Sequence, residues 1–267
     1  WVPDEKILKT NLWSSELAKL TANAFLAQRI SSINSISAIC EETGADIKEV
    51  SKAIGLDIRI GSKFLNSGPG FGGSCFKKDI LNLVYLSHFF GLPEVAYYWE
   101  SVVNLNNWQQ QRITKLIVKK LFGTLTNKKI VVLGFAFKAN TNDTRESPAI
   151  NICKELLDEG AFLVIHDPKV SRNQMHKDLN IEPIKHFNEL ESNSLNMEGN
   201  WCEAFDLEKS FIDADAVLIL TEWNYYKNIN WNEAAKLMRK PSWLFDTRSI
   251  INTSEFKNIE INLWSIG

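Results

Sequence analysis

From residue 11 to residue 43, apolar and small residues recur at three- and four-residue steps, through Leu17, Leu20, Ala24, Ala27, Ile30, Ser31 and Asn34, without a proline or glycine between them. That spacing predicts one long helix, stopped by Gly44. Asp46, followed by Glu49 three positions on, resembles a capping box that opens a short helix ending at Gly55. Residues 61–74 are Gly-rich and read as loop. Helical periodicity returns over 81–90, closed by Gly91 and Pro93, and again over 94–122, closed by Gly123. Residues 1–10 read as an irregular lead-in.

The pattern changes near residues 124–127. Ile130-Val131-Val132-Leu133 is an apolar run of strand length within 129–134. Ser147-Pro148 fits an N-cap with proline in the first turn, opening a helix that runs to Glu159 and stops at Gly160. Further strands are expected over 162–166, 216–220 and 243–245, with a helix over 231–240. Residues 188–210 are polar and irregular and read as a loop insertion. Strands alternating with helices predict a doubly wound parallel sheet, so the chain divides into helices over 11–123 and an α/β unit over 124–267. Ligands of such sheets lie at the carboxyl ends of the strands. Gly134, Asp167, Thr221, Glu222 and Asp246 fall there.

The 267 residues carry a formal net charge of −2 and are 45% hydrophobic, an ordinary globular composition. The near-neutral balance argues against a nucleic-acid partner. No apolar run approaches the roughly 18 residues of a membrane span. The first residue is Trp1 and the opening stretch is polar, so no signal peptide is visible, and the expectation is a cytoplasmic chain that starts inside a longer protein. Cys40, Cys75, Cys153 and Cys202 form no Cys-x-x-Cys pair, which disfavours a structural zinc site or a disulfide framework. No metal is expected.

Candidate chemistry centres on Cys75. The loop 67–73 holds four glycines and a proline. A Gly cluster alone is an ordinary turn, but such a loop also aims N–H groups at an anion. It leads into Cys75 and then a helix with Lys77, Lys78 and Asp79 in its first turn. The helix dipole and both lysines favour a thiolate, the form required for attack on a carbonyl. Asp79 lies four residues after Cys75, a spacing that puts both on one helix face. Lys19 and Asn23, also four apart, offer an ammonium and an amide to one site, a pair suited to an oxyanion. The small residues around them (Ala18, Ala22, Ala24, Ala27) predict that this face is buried.

These residues carry a resemblance. The helical run 16–35, with Lys19 and Asn23, is similar to the central helix of the UDP-glucose 6-dehydrogenases of the UDP-glucose/GDP-mannose dehydrogenase family. Gly70-Phe71-Gly72-Gly73-Ser74-Cys75-Phe76-Lys77-Lys78-Asp79 resembles their catalytic loop. Gly134-Phe135-Ala136-Phe137-Lys138 and Asp143-Thr144-Arg145-Glu146-Ser147 look like the opening of a Rossmann-like UDP-binding domain. Phe245-Asp246-Thr247-Arg248 looks like a late substrate motif. The resemblance covers nearly the whole chain, in order, and is greatest to the animal type.

The resemblance implies NAD-dependent, two-step oxidation of UDP-glucose to UDP-glucuronate. Cys75 would be the nucleophile, passing through a thiohemiacetal and a thioester. Asp79 would assist proton removal through water, and Lys19 and Asn23 would hold the oxyanion. Asn66, Ser67, Gly68, Pro69, Gly70, Phe71 and Gly72 would wrap the uridine and diphosphate. Phe137 and Lys138 would meet the UDP-sugar. Arg59 and Arg248 would contact substrate, at least one of them from a neighbouring subunit, while Lys78 and Arg145 would contact NAD. The long helix is expected in the interface of a homodimer or higher homo-oligomer.

No Gly-x-Gly-x-x-Gly turn that would hold the NAD pyrophosphate follows a strand in these residues: the glycines of the Cys75 loop do not follow one, and Gly134-Phe135-Ala136-Phe137 follows a strand but lacks the second Gly. The expectation is therefore that 1–10 lead in from an NAD-binding domain outside this sequence, and that this chain alone does not turn over. Two alternatives stay open: a dehydrogenase for UDP-N-acetylmannosamine or GDP-mannose, and a non-catalytic UDP-sugar-binding dimerisation module.

Overall fold

A computed structural model describes residues 1–184, 198–253 and 255–267. Helix α1 (Leu12–Thr43) opens where the Asn11 side chain accepts from the Ser14 N–H, and closes at Gly44 in the left-handed conformation, φ +77°. Helix α2 (Ile47–Gly55) is capped by Asp46, which accepts from the Lys48 N–H. The cap is thus a single bond rather than the reciprocal box expected with Glu49. Helix α3 (Phe76–Phe89) starts five residues before the periodicity of 81–90, directly after Cys75. Helix α4 (Pro93–Lys120) carries Pro93 in its first turn, where a missing N–H costs no helical bond. Ala24 and Ala27 of α1 are fully buried and let α3 and α4 approach closely around Phe71, Ile80, Leu83, Val102 and Val103.

The second half begins with β1 (Lys129–Leu133), α5 (Pro148–Asp158), β2 (Phe162–His166), α6 (Arg172–Leu179), β3 (Trp201–Glu203) and α7 (Leu207–Ser210). It continues with β4 (Ala216–Ile219), α8 (Asn224–Lys227), α9 (Trp231–Leu237), β5 (Trp243–Asp246) and β6 (Asn262–Ser265). Among the described residues the strands form one parallel sheet in the order β3-β2-β1-β4-β5-β6. The order reverses between β1 and β4, which makes the crevice beyond Leu133 and Ile219 the switch point where such sheets bind ligands. Every residue of β1 is buried because both faces are covered. Ile130 and Val132 pack against Ile113 and Ile117 of α4 and Ile152 of α5, whereas Val131 and Leu133 pack against Phe211, Trp231 and Leu244 on the other face. Each such side chain contributes roughly 1.5–3 kcal/mol.

The doubly wound sheet agrees with expectation, but the loop insertion expected over 188–210 does not hold at its C-terminal end. Residues 201–203 form β3 and 207–210 form α7, because Trp201, Cys202 and Leu207 are buried against the sheet. The earlier part of that stretch, to residue 197, lies outside the described residues. Helix α9 ends at Leu237, three residues early, since Met238 turns extended (ψ 150°) to lead into β5.

Candidate active site

Lys19 Nζ and Asn23 Nδ2, one turn apart on α1, both donate to Oδ2 of Asp79 on α3, the Asn23 bond at 2.5 Å. Asp79 is 1% exposed, and its own N–H closes the first helical bond onto the Cys75 carbonyl at 2.9 Å. Burial pushes the Asp79 carboxyl up. The hydrogen bonds from Lys19 and Asn23, with the charges of Lys19 and Lys78, outweigh it and hold the group below the usual carboxylate range. Its second oxygen, Oδ1, is buried without a hydrogen-bond partner. Cys75 is the N-cap residue of α3 and its side chain is exposed, whereas Cys40, Cys153 and Cys202 are buried free thiols. Burial pushes the Cys202 thiol up to about 11 and that of Cys153 higher still.

The Lys19 face is less covered than its alanines suggested. Ala18 and Ala22 are exposed and the Lys19 side chain is 57% exposed, although Trp13 in the first turn of α1 meets the Phe90 ring at the end of α3. Only Ala24 and Ala27 lie in the interface.

The Gly-rich loop is held on both sides. Toward the helices, the Gly68 N–H donates to Asn34 Oδ1 (2.8 Å) and its carbonyl accepts from Gln109 Nε2 (2.9 Å). The Phe71 N–H donates to Asn106 Oδ1 (2.8 Å), and Asn106 Nδ2 donates back to the Phe71 carbonyl (3.2 Å). Toward the sheet, the Gly73 N–H donates to the Arg145 carbonyl (2.8 Å). A Cβ on Gly72 would sit 2.5 Å from the Glu146 carbonyl oxygen, so this position admits only glycine. Lys77 Nζ closes the same contact with an ion pair to Glu146 at 2.8 Å.

At the carboxyl ends of the strands a cavity of about 800 Å³ opens between the sheet and α2. Asn66, Ser67, Lys138 and Arg248 line it, as does Glu222. Arg248 is fixed by donation from Nε to the Leu220 carbonyl (2.8 Å) and from Nη2 to the Phe137 carbonyl (3.2 Å), beside Glu222 Oε2 at 3.2 Å. Gly68 packs against this guanidinium. Gly134, at φ +97°, ends β1 so close to Thr221 that a Cβ would lie 2.3 Å from the threonine Cβ.

Other expected contacts fall elsewhere. The Phe71 ring is 6% exposed, packed edge-on to Phe76, so the helical core holds it and not the cavity. Pro69 and Gly70 are buried beside it. Half-buried Phe137 packs against the Gly73 backbone, with Lys138 Nζ 5.3 Å above its ring. Arg59 is exposed and paired with Asp57 at 2.6 Å, away from the cavity, on a turn whose carbonyls at Ile60 and Gly61 accept from Arg29. Lys78 and Arg145 line a second, more open cleft with Ser74, Lys77, Leu81, Asn82, Tyr85 and Glu146. Among the described residues no cluster of three metal-ligating side chains occurs.

Sequence reasoning missed Lys48, Lys52 and Lys227, which give the cavity further positive charge. It also missed Asn106 and Gln109, whose polar type at buried positions on the apolar face of α4 was the available signal.

Fold and site together define a ligand-binding α/β protein of the doubly wound class, with an exposed thiol carried on the loop that lines its cavity. The chain belongs to the UDP-glucose/GDP-mannose dehydrogenase family: residues 13–108 match the family's central domain and residues 131–253 its UDP binding domain. It is 52% identical to a UDP-glucose 6-dehydrogenase of Mus musculus over 269 residues, covering all of this chain and 53% of that protein. It is 48% identical to UDP-glucose 6-dehydrogenase 4 of Arabidopsis thaliana over 272 residues, covering 100% of this chain and 56% of that protein. The chain thus spans about half the length of the curated relatives it matches. A solved UDP-glucose dehydrogenase from Pyrobaculum islandicum superposes with a TM-score of 0.74 at 28% identity, over 95% of this chain and 50% of that one.

Proposed function

We propose that this chain is the substrate-binding and covalent-catalysis part of an NAD-dependent UDP-glucose 6-dehydrogenase, oxidising UDP-glucose to UDP-glucuronate in two steps. The observation that carries the reading is the convergence of Lys19 and Asn23 on Asp79, one helical turn after an exposed Cys75. The cavity, with Lys48, Lys52, Lys138, Lys227 and Arg248 on its walls, suits a nucleoside diphosphate in charge and size. Identities of 48–52% to proteins named UDP-glucose 6-dehydrogenase favour glucose over the other nucleotide sugars.

In this reading Asp79, held ionised, accepts the proton of the 6-hydroxyl through a water, and the first oxidation leaves an aldehyde. The Cys75 thiolate bonds to the aldehyde carbon, and the negative charge passes to the carbonyl oxygen. Asn23 and Lys19 hold that oxygen, and the exposure of Lys19 lets it swing across from Asp79. The second oxidation leaves a thioester. Water then attacks, the C–S bond breaks, and thiolate and carboxylate separate. The cleft beside Cys75 supports the NAD assignment, since Lys78 and Arg145 offer cations for a pyrophosphate and Tyr85 and Leu81 an apolar surface. NAD, when bound, supplies the hydride acceptor.

The rest of the NAD site is proposed to lie in residues outside this chain, which is then inactive alone. The helical unit 11–123 and the α/β unit 124–267 are proposed as its two domains. A homodimer through α1 is proposed from the exposed Phe25, Ile36 and Ile39, and Arg59 would serve a neighbouring subunit from a turn flanked by exposed Leu56, Ile58 and Ile60. No described helix is long and apolar enough to cross a membrane, and the cytoplasm is the proposed location.

Calorimetry of the chain with UDP-glucose, UDP-N-acetylmannosamine and GDP-mannose tests the reading. UDP-glucose is expected to bind tightest. Equal affinity for all three would remove the sugar assignment, and NADH production by the isolated chain would refute its incompleteness.

A further inference from the structure

The loop that carries Cys75 has no strand partner, yet four of its backbone groups are bonded to side-chain amides. Asn34 of α1 and Gln109 of α4 take the N–H and the carbonyl of Gly68. Asn106, one turn before Gln109, takes both groups of Phe71. All three amides are buried, at 0%, 5% and 0% exposure for Asn34, Asn106 and Gln109. Asn106 makes two bonds to the loop and Asn34 and Gln109 one each, while Asn34 Nδ2 is buried without a hydrogen-bond partner. Asn106 also dictates the residue opposite: a Cβ on Gly70, itself at φ +126°, would lie 2.8 Å from Asn106 Oδ1.

With Gly68 and Phe71 occupied, the Ser67, Gly70 and Gly72 N–H groups have no hydrogen-bond partner among the described residues. Buried Gly70 makes this costly, since an unpaired main-chain N–H away from water forfeits its solvation. Half-buried Ser67 lines the cavity, where a Gly-rich turn can offer a free main-chain N–H to an anion.

We infer that Asn34, Asn106 and Gln109 are positioning residues that template the loop, leaving the Ser67 amide at the cavity wall for the anionic part of the ligand and setting where Cys75 stands. The inference rests on the proposed reading of this loop as the substrate loop. It assigns to α4, which carries no group of the proposed reaction, control over substrate affinity and over the Cys75 thiol.

Amide hydrogen exchange and UDP calorimetry on this chain test it. Asn106→Leu keeps the volume and removes both bonds. The Phe71 amide is expected to exchange roughly tenfold faster, the effect of about one net hydrogen bond. UDP affinity is expected to fall by a similar factor, and the rate of Cys75 alkylation to change with it. Asn106→Asp, which keeps an acceptor for the Phe71 N–H, is expected to recover part of all three. Unchanged UDP affinity and alkylation in folded Asn106→Leu overturns the inference. So does a Phe71 amide that exchanges in the wild-type chain at the rate of an unstructured peptide, a result that needs no variant to fold. If the wild-type chain binds no UDP, the functional reading fails, and the exchange rates still decide the positioning claim.

Discussion

Lys19→Met removes the charged partner of a carboxylate that is 1% exposed while keeping a good helix former in α1. A hydrogen bond to a charged group contributes about 1.5–3 kcal/mol. The Lys19 side chain is 57% exposed, so solvent screens the pair and the expected loss is about 1–1.5 kcal/mol at pH 7. After the substitution only Asn23 still donates to the buried carboxylate, and burial, which opposes ionisation, meets less resistance. The folded state holds the Asp79 carboxyl below its ordinary value. Its stabilisation is therefore present above the unfolded carboxyl pKa of about 3.9 and is lost as pH falls through the lower folded value. Urea unfolding of wild type and Lys19→Met at pH 7 and below pH 3 reads this directly. The gap is expected to be open at pH 7 and to close in acid, and in a double-mutant cycle Asp79→Asn is expected to absorb most of the Lys19→Met effect. An equal gap at both pH values would refute the reasoning, as would additive single effects.

Three further outcomes are expected. A disulfide reagent added to the native chain is expected to titrate Cys75 rapidly, with Cys40, Cys153 and Cys202 reacting only after unfolding; Cys75→Ser removes the fast phase and leaves the melting temperature unchanged. Gly134→Ala forces a Cβ to 2.3 Å from Thr221 at a positive φ and is expected to cost about 3 kcal/mol or more, read as a lowered urea midpoint. Arg248→Ala removes donors to the Leu220 and Phe137 carbonyls and a cation from the cavity wall, so UDP affinity measured by calorimetry is expected to fall at least roughly tenfold.

The long helices were legible because their boundaries are local chemistry. Asn11 and Gly44 bracket α1, and Ser147 accepts from the Ala149 N–H to open α5 with Pro148. Four of the strands were apolar runs buried on both faces. β3 and β6 were not legible for a different reason in each case. β3 is three residues long and its identity depends on pairing with β2, while β6 is an edge strand with only partial burial. Helix α6 has few apolar positions, Met175 and Leu179 being the buried ones, so periodicity does not reveal it.

At the site, Cys75, Asp79, Lys19 and Asn23 were readable as pairs at helical spacing, and the fold brings the last three together. The exposure of Lys19 was not readable, because it depends on how α3 and α4 pack against α1. The amides of α4 stand out as polar residues on its apolar face, but their partners were not readable, being main-chain atoms 35 and 41 residues away.

The central claim is that Cys75 bonds to the substrate carbon between the two oxidations. The direct measurement is acid quench of the complete protein during a single turnover of UDP-glucose with NAD, followed by mass analysis of the peptide that contains Cys75. The account predicts an added UDP-sugar mass on that peptide and none in Cys75→Ser. Formation of UDP-glucuronate by Cys75→Ser at the wild-type rate, with no adduct in either protein, would contradict it.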